Sequence, residues 1–281
     1  MLFSDAHLHT NPVRGLGAGR IAERFRREGG WFVALVALPP YHYGVSEPSV
    51  ESYIKVLEVL NREAEAFREH GLKVARLMGF HPAEVDEYYR RGLDGRRIYE
   101  LAAGVLKLIR DALGRGLLDG VGEVGRQHYS TSVERIVLSE VIMMEALEAA
   151  RDYDAVIHLH LEQAGWITAF SISRLAKALK SSSGRIVLHH AGMDTVLSAE
   201  EYGLSYTIPV KNFSEKLASK KPLNATVESD FIDDPARPGV AAYPWEIPKV
   251  IRRHLENGVF DEEYAYRIMV DNIARLYDVA P

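Results

Sequence analysis

Cysteine is absent from this 281-residue sequence. Its absence excludes disulfide bonds, thiolate zinc sites and cysteine nucleophiles. A basic excess is also missing, because 34 Lys and Arg residues stand against 39 Asp and Glu residues, for a formal net charge of −5. The balance therefore does not indicate general nucleic-acid binding by counterion release, and an anionic substrate would have to meet local positive charge.

The sequence also lacks long apolar segments. The longest, WFVALVAL at 31–38, is far too short to cross a bilayer. The opening segment MLFSDAHLHT is polar within four residues and is unlike a signal peptide. We therefore expect a cytoplasmic protein that binds no membrane. Its composition, 47% hydrophobic and 26% charged, is typical of globular domains with a large core.

Short apolar runs alternate with longer amphipathic segments along the whole chain. Eight runs predict strands buried on both faces, at 2–9, 31–38, 74–80, 119–125, 154–160, 185–190, 205–210 and 225–230. Helical spacing predicts helices at 49–70, 98–115, 132–151, 167–181, 246–256 and 261–277. Thr131 with Glu134 forms a plausible capping box, and Asp261 a helix N-cap. This alternation predicts the α/β class and a (β/α)8 TIM-type barrel, with residues 1–281 as a single domain.

Residues able to bind metal ions are concentrated at the predicted strand ends. In such barrels the functional side chains lie at the C-terminal ends of the strands. Six of the eight strands end in His, Glu or Asp, and these residues are Asp5, His7, His9, His81, Glu123, His158, His160, His189, His190, Glu228 and Asp230. One such histidine alone is more often a packing or capping residue. So many ionisable groups are costly to bury unless they are paired or metal-bound, so the joint pattern predicts a divalent metal site.

Several of these residues occur in an ordered set of short motifs. The set comprises His-x-His at 7–9, Gly-x-His-Pro at 79–82, Gly-Glu-Val-Gly at 122–125, His158, His189, Glu-Ser-Asp at 228–230 and Asn-Ile-Ala-Arg-Leu-Tyr at 272–277. In this order, over residues 5 to 277, the chain resembles the TatD-like metal-dependent hydrolases of the amidohydrolase superfamily. The resemblance implies a barrel enzyme that uses two divalent ions (Zn, Mn or Mg) to activate water and cleave a phosphodiester, with DNA or another phosphoester as substrate.

The resemblance also implies roles for individual residues. It makes His7 and His9 ligands of the first metal, and Glu123 a catalytic carboxylate that bridges both metals. It makes His158 and His189 ligands of the second metal. Asp230 is implied as the remaining acidic ligand and as the catalytic base that accepts the proton of the attacking water. His81 is implied as a histidine on the substrate side.

Two departures from the family pattern leave alternatives open. Arg126 and Gln127 replace the usual Leu-Asp, and Leu159 and His160 replace a small residue and an Arg. Losing that Arg weakens the nuclease assignment, so Arg126 either contacts an anionic substrate group or forms an ion pair. His160 is either an additional ligand or a substrate contact. Amide, lactone or other ester hydrolysis with one or two metals, and a non-catalytic metal-binding barrel, remain alternatives.

Three further positions lie near the predicted mouth of the barrel. His190 competes with His189 as the metal ligand and otherwise contacts substrate. Tyr41 and Tyr43 follow the second strand and either stack on a substrate ring or form a packed lid. The segment 231–245, which includes Pro238, is a candidate wall of the site.

Overall fold

The computed structural model describes residues 1–237 and 241–281, and its eight parallel strands pair in sequential order. The strands are β1 Phe3–Leu8, β2 Gly30–Val36, β3 Lys73–Met78, β4 Gly120–Gly125, β5 Val156–His160, β6 Ile186–Leu188, β7 Ser205–Pro209 and β8 Ala225–Glu228. Beyond β8, Leu8 pairs with Phe231, and the Asp230 N–H donates to the His7 carbonyl at 3.0 Å. This closes the sheet next to β1, which confirms the predicted (β/α)8 barrel.

Helices follow the strands and form the outer layer of the barrel. They are α1 Gly17–Arg27, α2 Val50–Glu69, α3 Pro82–Arg90, α4 Gly95–Gly114, α5 Val133–Asp152, α6 Trp166–Leu179, α7 Met193–Glu201, α8 Glu215–Ala218, α9 Glu246–Glu256, α10 Glu262–Tyr266 and α11 Asn272–Tyr277. A π-helical turn, Arg267–Asp271, joins the last two helices. The prediction missed α1, α3 and α7, each of which has at most 11 residues.

Two helix starts test the capping predictions. The prediction of a capping box by Thr131 and Glu134 is wrong, because α5 begins after Ser132 and has no side-chain cap. The hydroxyl of Thr131 donates to Asp86 instead of contacting the first turn of the helix. The cap at Asp261 is confirmed, since its carboxylate accepts the backbone N–H of Tyr264 at 2.9 Å.

The strands are buried on both faces, as their continuous apolar character predicts. Every residue of β1, β2, β4, β5, β6 and β8 is buried. Six of the eight predicted strands end one or two residues earlier in the structure; as a result, His189 and His190 lie beyond β6, and Ser229 and Asp230 lie beyond β8. These four residues therefore belong to loops at the C-terminal mouth. Among the described residues, no helix has the length and apolarity needed to cross a bilayer.

The C-terminal segment is attached to the barrel wall by one buried amide. Asn272 donates from Nδ2 to the carbonyl of Leu223 at 2.8 Å and to that of Ala225 at 2.7 Å. Both carbonyls lie at the start of β8, so the amide ties α11 to this strand. This contact gives the Asn of the terminal motif a structural role.

Replacing Asn272 with Ala should lower the free energy of unfolding by about 2 kcal/mol, because two carbonyls lose their donor. Urea unfolding followed by circular dichroism measures the change. Asn257→Ala is the matched control, since the side chain of Asn257 donates to the exposed Glu215. Equal losses in both variants would contradict a specific attachment at β8.

Candidate metal centre

The carboxylate of Glu123, on β4, lies at the centre of a group of imidazoles. Its Oε1 is 3.3 Å from His7 Nε2 and 3.2 Å from His9 Nε2. Its Oε2 is 2.8 Å from His160 Nδ1 and 3.7 Å from His189 Nε2. The two oxygens thus face different histidines, an arrangement that allows one carboxylate to bridge two cations.

Two motif glycines allow the strands around Glu123 to approach closely. A Cβ at residue 79 would overlap the backbone carbonyl of Glu123, and a Cβ at residue 125 would overlap the carbonyl of His160. Gly125 also has a φ of +147°, which side chains rarely adopt. The glycines of the predicted motifs therefore serve to position Glu123 and His160.

Hydrogen bonds behind the ring fix the orientation of His9. Its Nδ1 is 2.8 Å from the carbonyl of Val36, which can only accept. Nδ1 therefore carries the hydrogen, and the lone pair of Nε2 points toward Glu123. Holding a ligand histidine by its second nitrogen is the usual arrangement in metal sites.

His7 is held by a relay through His158. His7 Nδ1 is 2.8 Å from His158 Nδ1, His158 Nε2 is 2.6 Å from the Tyr277 hydroxyl, and that hydroxyl donates to the Ala6 carbonyl at 3.5 Å. Because a carbonyl only accepts, the relay is consistent when His7 donates to His158 and His158 donates to Tyr277. The lone pair of His7 Nε2 then points toward Glu123. The structure thus places His158 behind His7, away from the carboxylate, whereas the resemblance implied that it is a ligand.

His189 is held in the same way by a second carboxylate. Its Nδ1 is 2.8 Å from Glu228 Oε2, and its Nε2 is 3.6 Å from Asp230 Oδ1. Glu228 is fully buried on β8, and this histidine is its ion-pair partner. Of the two competing histidines, His189 therefore faces Glu123 and Asp230, whereas His190 lies nearer the mouth.

Asp230 follows β8 in a left-handed conformation, with φ of +53°. Its carboxylate lies within 4.8 Å of the ligand atoms of His7 and His9. Burial and the negative charge of Glu123 raise the pKa of Asp230 to about 7. Asp5 lies behind the histidines. Its carboxylate accepts hydrogen bonds from the backbone N–H groups of His7 at 3.3 Å and of Ser229 at 2.9 Å, so these contacts position the backbone rather than an imidazole ring.

The charges of this group suit divalent cations. Histidines are the ion-pair partners shown for Glu123, Glu228 and Asp230, and Asp5 accepts hydrogen bonds from backbone N–H groups. Burial lowers the pKa of His7 to about 4 and that of His189 well below its usual value, which keeps both in the neutral form that binds metals. His9 differs, because Glu123 outweighs burial and raises its pKa. Nitrogen and oxygen donors from His7, Glu123 and His189 lie within 4.8 Å of one another, close enough to hold a cation.

His160 and His81 contact the other side of Glu123. His160 lies next to Oε2, at the position that the resemblance gave to His158. His81 accepts the Ala83 N–H at Nδ1 (3.0 Å), so its ring hydrogen is on Nε2, 3.4 Å from Glu123 Oε2. His81 therefore presents a hydrogen-bond donor to the site, in keeping with a residue on the substrate side.

Arg126 does not reach this group. Its guanidinium donates to both carboxylate oxygens of Glu162, at 2.8 and 2.7 Å, and to Glu140 at 2.9 Å. Of the two readings of Arg126, the geometry favours the ion pair over a contact with an anionic substrate.

A cavity of about 430 Å³ opens above Glu123 at the mouth of the barrel. It brings together His9, His81, Glu123, His160, His189, His190 and Asp230 with Tyr41, His42, His128, Tyr129 and Arg237. His42 and His128 were not predicted as site residues, although their places just after β2 and β4 were a usable signal. Tyr43 is buried within its loop, and its hydroxyl donates to the Thr10 carbonyl at 3.3 Å. In the predicted wall 231–245, Ile232 and Arg237 line the cavity, whereas Pro238 lies outside the described residues.

The chain belongs to the family described as TatD related DNase, whose model matches residues 4–278. It is 31% identical over 280 residues to an uncharacterised protein of Methanocaldococcus jannaschii, covering 98% of this chain and 95% of that one.

Two solved structures share the fold at low sequence identity. A TatD-like protein from Archaeoglobus fulgidus superimposes with a TM-score of 0.68 at 16% identity, over 99% of this chain and 100% of that one. The phosphotriesterase homology protein from Escherichia coli, solved with phosphate in its active site, gives a TM-score of 0.63 at 13% identity, over 98% of both chains.

The buried carboxyl of Glu84, beside the site on α3, gives a pH prediction. Burial raises the pKa of Glu84 to about 7 in the folded chain, although Tyr53 and His81 donate to it. The folded state therefore holds a proton that the unfolded chain releases at lower pH. The contribution of Glu84 to the free energy of unfolding is therefore fully present below about pH 4.5, and it is lost as the pH rises through 7.

In Glu84→Gln, this pH dependence should disappear. Relative to the variant, the wild-type protein should lose on the order of 3 kcal/mol of unfolding free energy between pH 4.5 and pH 8. Urea unfolding at several pH values measures both proteins. Parallel stability profiles would show that Glu84 is ionised in the folded state.

Proposed function

We propose that this protein is a hydrolase with two divalent cations that cleaves a phosphodiester, as a nuclease of DNA or of another phosphoester, and that residues 1–281 form one catalytic domain. The observation that carries the proposal is the fixed orientation of three imidazoles. His7, His9 and His189 each direct Nε2 toward the Glu123 carboxylate and are held from behind by a contact at Nδ1. Imidazole nitrogens arranged in advance around a buried carboxylate are what a metal centre requires.

The donor atoms divide into two groups that share Glu123. His7, His9 and Asp230 would hold one cation with Oε1, and His189 and His160 the other with Oε2. His160 takes the second-metal position in this assignment, and His158 supports His7 from behind. Zn, Mn and Mg all bind mixed sets of nitrogen and oxygen donors, though to differing degrees. The number of imidazole donors in this set favours Zn.

The surrounding residues supply the remaining chemistry. Bound divalent cations provide Lewis acidity, which polarises a phosphoryl oxygen and acidifies water. The Asp230 carboxylate, which lines the cavity, accepts the proton of the attacking water. The Nε2–H of His81 donates to a substrate oxygen, because its Nδ1 is occupied by the Ala83 N–H. Buried strands beneath these groups exclude bulk water from the floor of the site.

The central experiment measures hydrolysis of bis-p-nitrophenyl phosphate and of single-stranded and duplex DNA, with Zn, Mn or Mg added to chelated protein. Activity should vanish with chelator and return with the cation. Asp230→Asn should lower kcat by about 100-fold or more, because the proton acceptor is lost. Elemental analysis and circular dichroism accompany the assay, since an unfolded or cation-free variant would not test the base. Unchanged kcat would exclude Asp230 as the base, and activity on lactones alone would overturn the phosphodiester assignment.

Paired variants of the two histidines on β5 test the ligand assignment. His160→Asn should lower the cation content from about two to about one per chain, because a donor beside Glu123 Oε2 is lost. His158→Asn should keep both cations and weaken the first one, since it breaks only the support of His7. Plasma mass spectrometry of dialysed protein measures the content. The reverse outcome would restore His158 as the ligand.

A further inference from the structure

The outer side of α5 is apolar, although it faces solvent. Val133, Val137, Val141 and Met144 follow one another at helical spacing and are 75%, 57%, 40% and 36% exposed. The inner side of α5 packs on the barrel with buried apolar residues such as Ile142. Valine is a poor helix former, so these outer positions gain nothing from local helix stability. A helix that is apolar on both sides is typical of a helix buried on both sides.

The equally long α2 shows the usual pattern of an outer barrel helix. Both helices have 20 residues. Beside Ile54, the exposed positions of α2 carry charged residues, namely Glu51, Lys55, Glu58, Arg62, Glu65 and Glu69. The apolar outer side of α5 is therefore a local feature of this part of the barrel.

The first turn of α6 extends the apolar surface of α5. Trp166 and Ile167 are 53% and 48% exposed. The indole of Trp166 stacks on Phe170 with ring centroids 4.9 Å apart, and its Nε1–H donates to the Tyr202 hydroxyl at 2.9 Å. These contacts order the indole on the surface in advance, and ordered aromatic side chains are typical centres of protein interfaces.

Two arginines show how α5 and α6 are aligned. Arg126 donates to Glu140 on α5 at 2.9 Å and to Ser171 on α6 at 3.1 Å. Arg151, near the end of α5, donates to the carbonyl of Leu179, at the end of α6, at 2.8 Å. The two helices therefore run side by side from the mouth of the barrel, with the valines of α5 level with the first turn of α6.

Charged side chains follow the apolar part of this surface toward the opposite end of the barrel. Glu148 lies on α5 one turn after Met144, and Arg174 and Lys177 are exposed on α6. Within residues 1–237 and 241–281, none of these three charged side chains forms an ion pair. The outward side chains of residues 133–148 and 166–177, here called the α5–α6 face, are therefore apolar near the mouth. At the other end the face carries an acid on α5 and two bases on α6.

We propose that the α5–α6 face is a dimer interface between two copies of this chain, related by a twofold axis parallel to the two helices. Such an axis places α5 of each copy on α6 of the other at the same level. The valines of α5 then meet Trp166 and Ile167, and Glu148 meets Arg174 and Lys177. The apolar parts and the opposite charges of the face are thus complementary to those of a second copy.

Charge and size both favour this arrangement. A twofold axis across the helices, centred on Val141, would instead place Glu148 opposite Glu134 of the other copy, with like charges facing each other. A 20-residue helix is about 30 Å long and about 10 Å wide, so two helices side by side cover roughly 600 Å². A stable interface takes about 800 Å² from each partner, which is of the same order. Dimer formation is independent of the reaction proposed above.

Sedimentation velocity of the full chain at several micromolar concentrations tests the dimer. The wild-type protein should sediment with twice the chain mass of 31.5 kDa. Val141→Glu should raise the Kd of the dimer about 100-fold, because a charge enters the apolar part of the interface. Ile54→Glu is the matched control and should keep the wild-type Kd, since Ile54 is 42% exposed and Val141 is 40% exposed.

Circular dichroism shows whether each variant is folded. A wild-type protein that stays monomeric would overturn the proposal and leave the face to a different partner. A folded Val141→Glu variant that dimerises as the wild-type protein does would also overturn it, because the interface would then lie elsewhere.

A charge exchange tests the pairing of α5 with α6 and leaves the apolar side chains unchanged. Glu148→Arg and Lys177→Glu should each raise the Kd about tenfold, since each places like charges opposite each other across the interface. The double variant should return to within about twofold of the wild-type Kd, because the opposite charges are restored in exchanged positions. Additive losses in the double variant, or single variants with the wild-type Kd, would overturn the proposed arrangement.

Discussion

The ionised carboxylate of Glu123, buried at the centre of the barrel, is the constraint on which the site depends. Burial raises its pKa, but the surrounding histidines, His81 first among them, outweigh burial and hold the pKa well below its usual value. The charge therefore persists in a place where water solvates it poorly. Hydrogen-bond donors and cations stabilise a charge in such a place, and the barrel brings histidines to it from several different strands.

The support for the imidazoles extends to the outer layers of the fold. His7 is hydrogen-bonded to His158, which is hydrogen-bonded to Tyr277; His9 is hydrogen-bonded to the backbone of β2, and His189 to Glu228. The contact of His9 with a carbonyl fixes its hydrogen on Nδ1, and the other contacts fix the orientation of the rings. The C-terminal helix α11 thus reaches the metal centre through the hydroxyl of Tyr277, which gives the terminal motif a second role besides the attachment by Asn272. Ligand geometry and fold stability therefore rest on the same contacts.

The mouth of the barrel shows how this chain differs from the general family pattern. The guanidinium of Arg126 is neutralised by Glu162 and Glu140, and Arg237 is the arginine that lines the cavity, among histidines and tyrosines. His128 and His190 also line this cavity. Neutral imidazoles can donate one hydrogen bond and accept another, so they add hydrogen-bonding groups to the charges of Arg237 and Asp230.

The sequence by itself determined the barrel, its strands to within two residues, and a set of candidate metal-binding side chains at the strand ends, because these features follow from local apolar patterns and residue chemistry. Only the tertiary structure placed His160 beside Glu123 and His158 behind His7, turned His189 toward Glu123 and Asp230, and put Arg126 in ion pairs with Glu162 and Glu140. Residues two apart on a strand point to the same side, so the pattern could not rank them. Their depth in the barrel and their partners from distant segments, such as Tyr277 and Glu228, made the difference.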